Sequence, residues 1–148
     1  MNGRIQVIAA NRVLAKIFET EGRHLSLRLE LKHPEGELRN RDIDTDRGGQ
    51  SFDKGSSRGH VTERHVSAHE TDAIRFAKEV AAAAERSRLE GVGRFVLVAE
   101  PHFLGLLRGE LGEQVSKLII GDVGKDLAAA SEGDLRRAVS EVLPLLEA

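Results

Sequence analysis

"RIQVIAANRVLAKIFETEGRHLSLRLELK" (Arg4–Lys32) opens the chain with three apolar runs separated by two short turns, and its reading decides the fold. In the first run Ile5, Val7 and Ala9 share a face with Ile8 on the other, the pattern of a strand covered on both sides. Ala10-Asn11-Arg12 makes a turn, after which Val13, Ala15 and Ile17 alternate with Leu14, Lys16 and Phe18 in a second strand. Glu21-Gly22 makes the next turn. The third run alternates strictly. Leu25, Leu27, Leu29 and Leu31 are expected inward, and Ser26, Arg28, Glu30 and Lys32 outward, which suits the edge of a sheet. Turns this short join antiparallel strands, so the opening is a three-stranded meander.

Downstream the period changes. Ser67-Ala68-His69-Glu70 is a capping box, in which Ser67 bonds the amide of Glu70 and Glu70 reaches back. It opens a helix to about Leu89, with Ala73, Ile74, Ala77, Val80, Ala81 and Ala84 on one stripe. "RFVLVAE" (Arg94–Glu100) is a near-continuous apolar strand of the buried central kind. Pro101 suits the first turn of a short helix with Phe103, Leu104, Leu106 and Leu107 inward. "VSKLIIGDV" (Val115–Val123) reads as the fifth strand. A second capping box, Ser131 to Asp134, opens a last helix with Leu135, Ala138, Val139, Val142 and Leu143 at helical spacing. Right-handed crossovers place strands four and five parallel to strand one, and the most apolar strand, the fourth, belongs beside it. The expectation is a ribonuclease H-like, three-layer α/β domain: a five-stranded mixed sheet in order 3-2-1-4-5, strand two antiparallel, with about three helices. It is a single domain, 1–148, with a long loop insertion at about 33–66.

Composition narrows the function classes. The 148 residues carry a net charge of −2, with 40% hydrophobic and 31% charged side chains, as expected of one soluble globular domain. There is no cysteine and no apolar run long enough to span a bilayer, so the expectation is a cytoplasmic protein without membrane contact. Five Phe, no Trp and no Tyr on a slightly acidic chain argue against nucleic-acid binding over the whole surface. A local contact through one loop stays open. The chain has no Gly-x-Ser-x-Gly, no P-loop and no His-Glu-x-x-His, and no cofactor is expected.

From His33 to about Val66 no period is usable, and a stretch that long inside a domain is usually functional or disordered. Its centre, "DTDRGGQSFDKGSSRGH" (Asp44–His60), is glycine-rich and has no aliphatic residue. Gly48 and Gly49 open backbone angles closed to other residues and expose their amides. Gln50 adds a donor and an acceptor without charge, so the three could position a water against an ester carbonyl. Arg41 and Arg47 could grip RNA phosphates, although the six Lys/Arg of the segment are interspersed with seven acids.

The strand ends form a second candidate. Asn11, Glu100 and Asp122 fall at or just after the carboxyl ends of strands one, four and five, where α/β sheets generally bind ligands. Two carboxylates could hold a hard cation such as magnesium. Nucleases of the ribonuclease H type also need a carboxylate within strand one, and "IQVIAA" has none, so no metal is expected. His65 and His69 are four apart, with no third ligand near in sequence.

Two resemblances attach to these residues. Gly48-Gly49-Gln50, lying between the third strand and the long helix, resembles the Gly-Gly-Gln loop in the middle domain of class-I release factors of eukaryotes and archaea. In that family the loop enters the ribosomal peptidyl transferase centre and promotes hydrolysis of the peptidyl-tRNA ester, which would make Gly48, Gly49 and Gln50 catalytic. A broader resemblance runs through "HPEGELRNRDIDTDRGGQSFDKG", "HETDAIRFAKEVA", "FVLVAEPHFLGLLR" and "GKDLAAASEGDLR". These segments are similar to the bacterial host-attachment protein family. Its pattern falls on His33–Gly36, Asn40, Asp46–Asp53, Pro101–Gly105 and Lys125–Leu127. This chain reads Gly48-Gly49-Gln50 where the family often has Pro-Gly-Arg, and Glu100 where a first proline is usual. The resemblance implies binding roles for His33, Asn40, Asp46, Arg47, Ser51, Phe52 and Asp53. Arg41 and Asn11 join them from the loop and the sheet end.

Two functions follow as expectations. The first is a ribosome-associated factor that promotes peptidyl-tRNA ester hydrolysis in rescue or regulation, with the ribosome or tRNA as partner. Codon reading is not expected, because 148 residues leave no room for a codon-reading domain. The second is a non-catalytic protein- or RNA-binding module whose loop orders on a partner, attachment to host cells being indirect. The edge formed by the third strand could pair with a second copy of the chain.

Overall fold

The opening meander forms as its turns dictate: β1 (Ile5–Ala10), β2 (Leu14–Glu21) and β3 (His24–Lys32) pair antiparallel in sequence order. Gly22 takes φ +62° in the β2–β3 turn, a left-handed conformation that a side chain would strain. The structure, a computed structural model, describes residues 3–33 and 67–146. Helix α1 (Ala68–Leu89) crosses to β4 (Arg94–Val98), α2 (Pro101–Glu110) and one-turn α3 (Glu113–Ser116) cross to β5 (Ile119–Val123), and α4 (Glu132–Val139) follows. A 3-10 turn at Pro144–Leu146 ends the described chain. The sheet order is β3-β2-β1-β4-β5, with β4 parallel to β1 and β5 parallel to β4. This is the expected ribonuclease H-like arrangement.

β1 is buried at every position, because helices cover both faces of the sheet. One core layer joins Ile8, Ala10, Ala15 and Ile17 to α1, α2 and α3 through Phe76, Val80, Phe103 and Val115. The other joins Val7, Ala9, Phe18 and Val98 to Leu135, Val139 and Leu143. The alanines of α1 (Ala73, Ala77, Ala81, Ala84) bring that helix close to the sheet. At β5 the approach from the other face is tighter still. A Cβ on Gly121 would lie 2.9 Å from Val142 Cβ, so only glycine fits beside the segment after α4.

The structure corrects three local readings. The four leucines of β3 do not share a face. Ile17 pairs with Leu29 and its neighbour Phe18 with Leu27, so Arg28 is an extra residue in a bulge. One added residue reverses the side-chain alternation. Leu25 therefore joins the α4 layer and Leu31 the α1 layer, while Leu27 and Leu29 are 49% and 38% exposed on this outer strand. Second, β5 begins at Ile119, and the preceding Val115 and Ser116 belong to α3, a fourth helix among the described residues.

Third, each capping box is only half made. Ser67 Oγ accepts from the amide of Glu70 at 3.0 Å and Ser131 Oγ from that of Asp134 at 3.1 Å. The Glu70 carboxylate, however, turns to His102 and Arg12, and that of Asp134 to Arg137. Side-chain partners on neighbouring elements or turns take the place of the cap amide.

Candidate functional site

The carboxyl end of the sheet gathers the polar residues that the core excludes. Asn11 follows β1 directly. Its Oδ1 accepts from the amides of Val13 and Leu14, each at 2.9 Å, which builds the β1–β2 turn. Its Nδ2 donates to Asp126 Oδ1 at 3.1 Å, tying that turn to the loop after β5. Glu100, just after β4, is the N-cap of α2. Its two oxygens accept from the amides of His102 and Phe103, both at 2.8 Å. An anionic cap there also complements the positive end of the helix.

Between these lies a triad of ionisable side chains drawn from three elements. Glu70, in the first turn of α1, meets His102 Nε2 at 2.9 and 3.0 Å, with His102 in the first turn of α2. Arg12, from the β1–β2 turn, approaches Glu70 at 3.8 Å, and its Nη1 is buried without a hydrogen bond to the described residues. The Glu70 and His102 side chains are 26% and 52% exposed, so the group is open to solvent.

Beneath the triad is an aromatic floor. Phe76 of α1 stacks on His33 at 5.3 Å between ring centroids and packs against Phe103 of α2 at 6.4 Å. His33 is pinned by its amide, which donates to Val13 O at 2.9 Å. Its ring is buried, and Nε2 has no hydrogen-bond partner among the described residues. His33 precedes segment 34–66, and Ser67, the N-cap of α1, follows it. Both roots of that segment therefore enter at this end of the sheet.

Of the residues singled out in the sequence, Asn11 and His33 stand here. Asn40, Arg41, Asp46, Arg47, Gly48, Gly49, Gln50, Ser51, Phe52 and Asp53 lie outside the described residues, as does His65. Asp122 sits within β5 and its carboxylate accepts from Arg108 of α2, while Glu100 is spent on its cap. Each of these two carboxylates thus has its own partner. Among the described residues no group of three His, Asp or Glu side chains could hold a metal ion. No described helix is long and apolar enough to cross a membrane. Sequence reasoning missed Arg12 and His102 and gave Glu70 only a capping role. The signal available was polar and ionisable residues in the first turns of both helices that cover one face.

Comparison with known proteins extends this picture. Residues 6–139 match the family described as "Protein required for attachment to host cells". The chain belongs to the host-attachment family. By fold this host-attachment protein is similar to an archaeal translation termination factor, with 13% identity, a TM-score of 0.55, and coverage of 98% of this chain and 37% of that one. A second structure, of an archaeal protein, is similar at 16% identity and a TM-score of 0.55, covering 99% of this chain and 35% of the other. The chain thus spans little more than a third of either neighbour. At these identities the likeness establishes the fold. No curated protein matches the chain.

Proposed function

We propose that this host-attachment protein is a ribosome-associated factor in which Gly48-Gly49-Gln50 promotes hydrolysis of the peptidyl-tRNA ester. One observation carries the reading: both roots of segment 34–66, at His33 and Ser67, enter beside the solvent-open Arg12–Glu70–His102 triad. A rigid sheet end is a suitable base for a segment that must reach another particle's reactive bond. In this scheme the Gln50 amide orients a water toward the ester carbonyl. Attack breaks the bond to the tRNA ribose, freeing the peptide as its acid and the tRNA as its alcohol. Gly48 and Gly49 supply amides and the backbone freedom to approach.

The likeness to a termination factor supports the reading at the level of fold, and over only 37% of that factor. The role proposed is one in rescue or regulation. The test is release of labelled peptide from stalled ribosomes by the wild type and by Gln50→Ala. Release by the wild type, reduced at least about a hundredfold in the variant, is expected, the scale of losing a group that positions a catalytic contact. Equal release from both ends the catalytic reading.

A second reading keeps the partner and drops the chemistry. The family description concerns attachment, and the balanced charge of segment 34–66 suits a loop that orders on a protein or RNA partner. Co-sedimentation with ribosomes at low salt, without peptide release, selects this module.

A further inference from the structure

At the opposite end of the sheet, where β1 begins, a cavity of about 520 Å3 opens between the sheet and the last turns of α1. Its polar wall is built from three arginines, Arg4, Arg28 and Arg86, together with Gln6, Glu19, Ser87 and the exposed Glu90. Ile17, Leu29 and Ala83 supply apolar surface. The bulge in β3 is what brings Arg28 to this face, 4.0 Å from Glu19.

The polar groups divide into two sets. Deep in the wall are acceptors. Glu19 is buried and receives Arg4 through Nε at 3.0 Å and Nη2 at 3.1 Å, and Gln6 Nε2 at 3.3 Å. The hydrogen bonds from Arg4 hold the Glu19 carboxyl below its ordinary 4.5, so it is an anion at neutral pH. Gln6 is 4% exposed, and its Oε1 has no hydrogen-bond partner. Nε2 gives one of its two N–H groups to Glu19, and Oε1 stands beside that carboxylate as an unfilled acceptor. The exposed part of the wall carries donors, with Glu90 as its one acid. Arg86 is exposed with no partner among the described residues, and Arg28 keeps donors beyond those directed at Glu21 and Glu19.

We propose that this cavity binds a guanine mononucleotide, base inward against Gln6 and Glu19 and phosphate outward on Arg28 and Arg86. Three features select that class. The volume falls in the range of about 300–1,000 Å3 usual for small-molecule sites, and a lone amino acid would leave most of it unfilled. A base edge with adjacent N–H donors matches a wall that offers acceptors, whereas adenine presents an acceptor there. The guanidinium fork is suited to phosphate oxygens. The site is remote from the roots of segment 34–66, so its occupancy is independent of the peptidyl-tRNA reading.

Isothermal titration of the full chain with GMP, AMP, guanosine and inorganic phosphate tests the assignment. Saturable GMP binding is expected, with AMP and guanosine each weaker by about tenfold or more, the scale of one lost charged or buried hydrogen bond. Arg86→Ala should weaken GMP about tenfold with an unchanged unfolding temperature, since Arg86 is exposed and has no partner among the described residues. Absence of saturation by GMP at millimolar concentration overturns the proposal. So does AMP binding as tight as GMP, or GMP binding equal in wild type and Arg86→Ala.

Discussion

The two ends of the sheet use the same chemistry to different effect. At the amino end, Arg4 grips Glu19 with two hydrogen bonds and Gln6 adds a third, and the Glu19 side chain is only 10% exposed. At the carboxyl end, Arg12 and His102 approach Glu70 in a group 26–52% exposed. Burial makes the difference. A carboxylate out of water depends on its donors, so removing one partner of the first cluster is costly, whereas breaking a solvated ion pair costs little.

The comparison can be broken by mutation. The largest effect is expected from the aromatic floor, which gives the carboxyl end its shape irrespective of charge. Phe76 is fully buried against Phe103 and His33, and Phe76→Ala should cost about 3–5 kcal/mol in urea denaturation. A cost near zero would mean that the floor does not hold the site.

Next comes the amino end. Glu19→Gln should cost about 1.5–3 kcal/mol at pH 7, the worth of hydrogen bonds to a charged group. The sign with pH follows from the depressed carboxyl. Its stabilisation is present above the ordinary value of 4.5 and is lost as pH falls through the lower folded-state value. The wild type should therefore lose stability more steeply than Glu19→Gln below about pH 4.5, read as unfolding temperature against pH. Parallel curves would remove the contrast between the two ends.

The smallest effect sharpens it. Glu70→Gln removes the acceptor shared by Arg12 and His102 and should change stability by only about 0–1 kcal/mol. A loss matching that of Glu19→Gln would show both ends to be structural.

The sequence made the sheet legible because its rules are local. Turns such as Ala10-Asn11-Arg12 are too short for anything but antiparallel pairing, and helical connections between strands obey one handedness. The candidate site was legible only in part. Asn11 and His33 stand at the predicted end, but the Glu70–His102 contact joins residues 32 apart and exists because α1 packs beside α2. Ser67-Ala68-His69-Glu70 reads locally as a closed capping box, and only packing supplied the partners for Glu70.

Strand order, the buried centre at β1 and β4, and the helix starts at Ser67 and Ser131 were determined by the sequence alone, through periodicity, turn length and capping chemistry. Tertiary structure decided the division of the β3 leucines between two faces, the triad of Arg12, Glu70 and His102, and the arginine-lined cavity at Gln6 and Glu19. The physical reason is range. A bulge, a shared carboxylate and a cavity wall each depend on which distant surfaces meet, and no local pattern of side chains encodes that meeting.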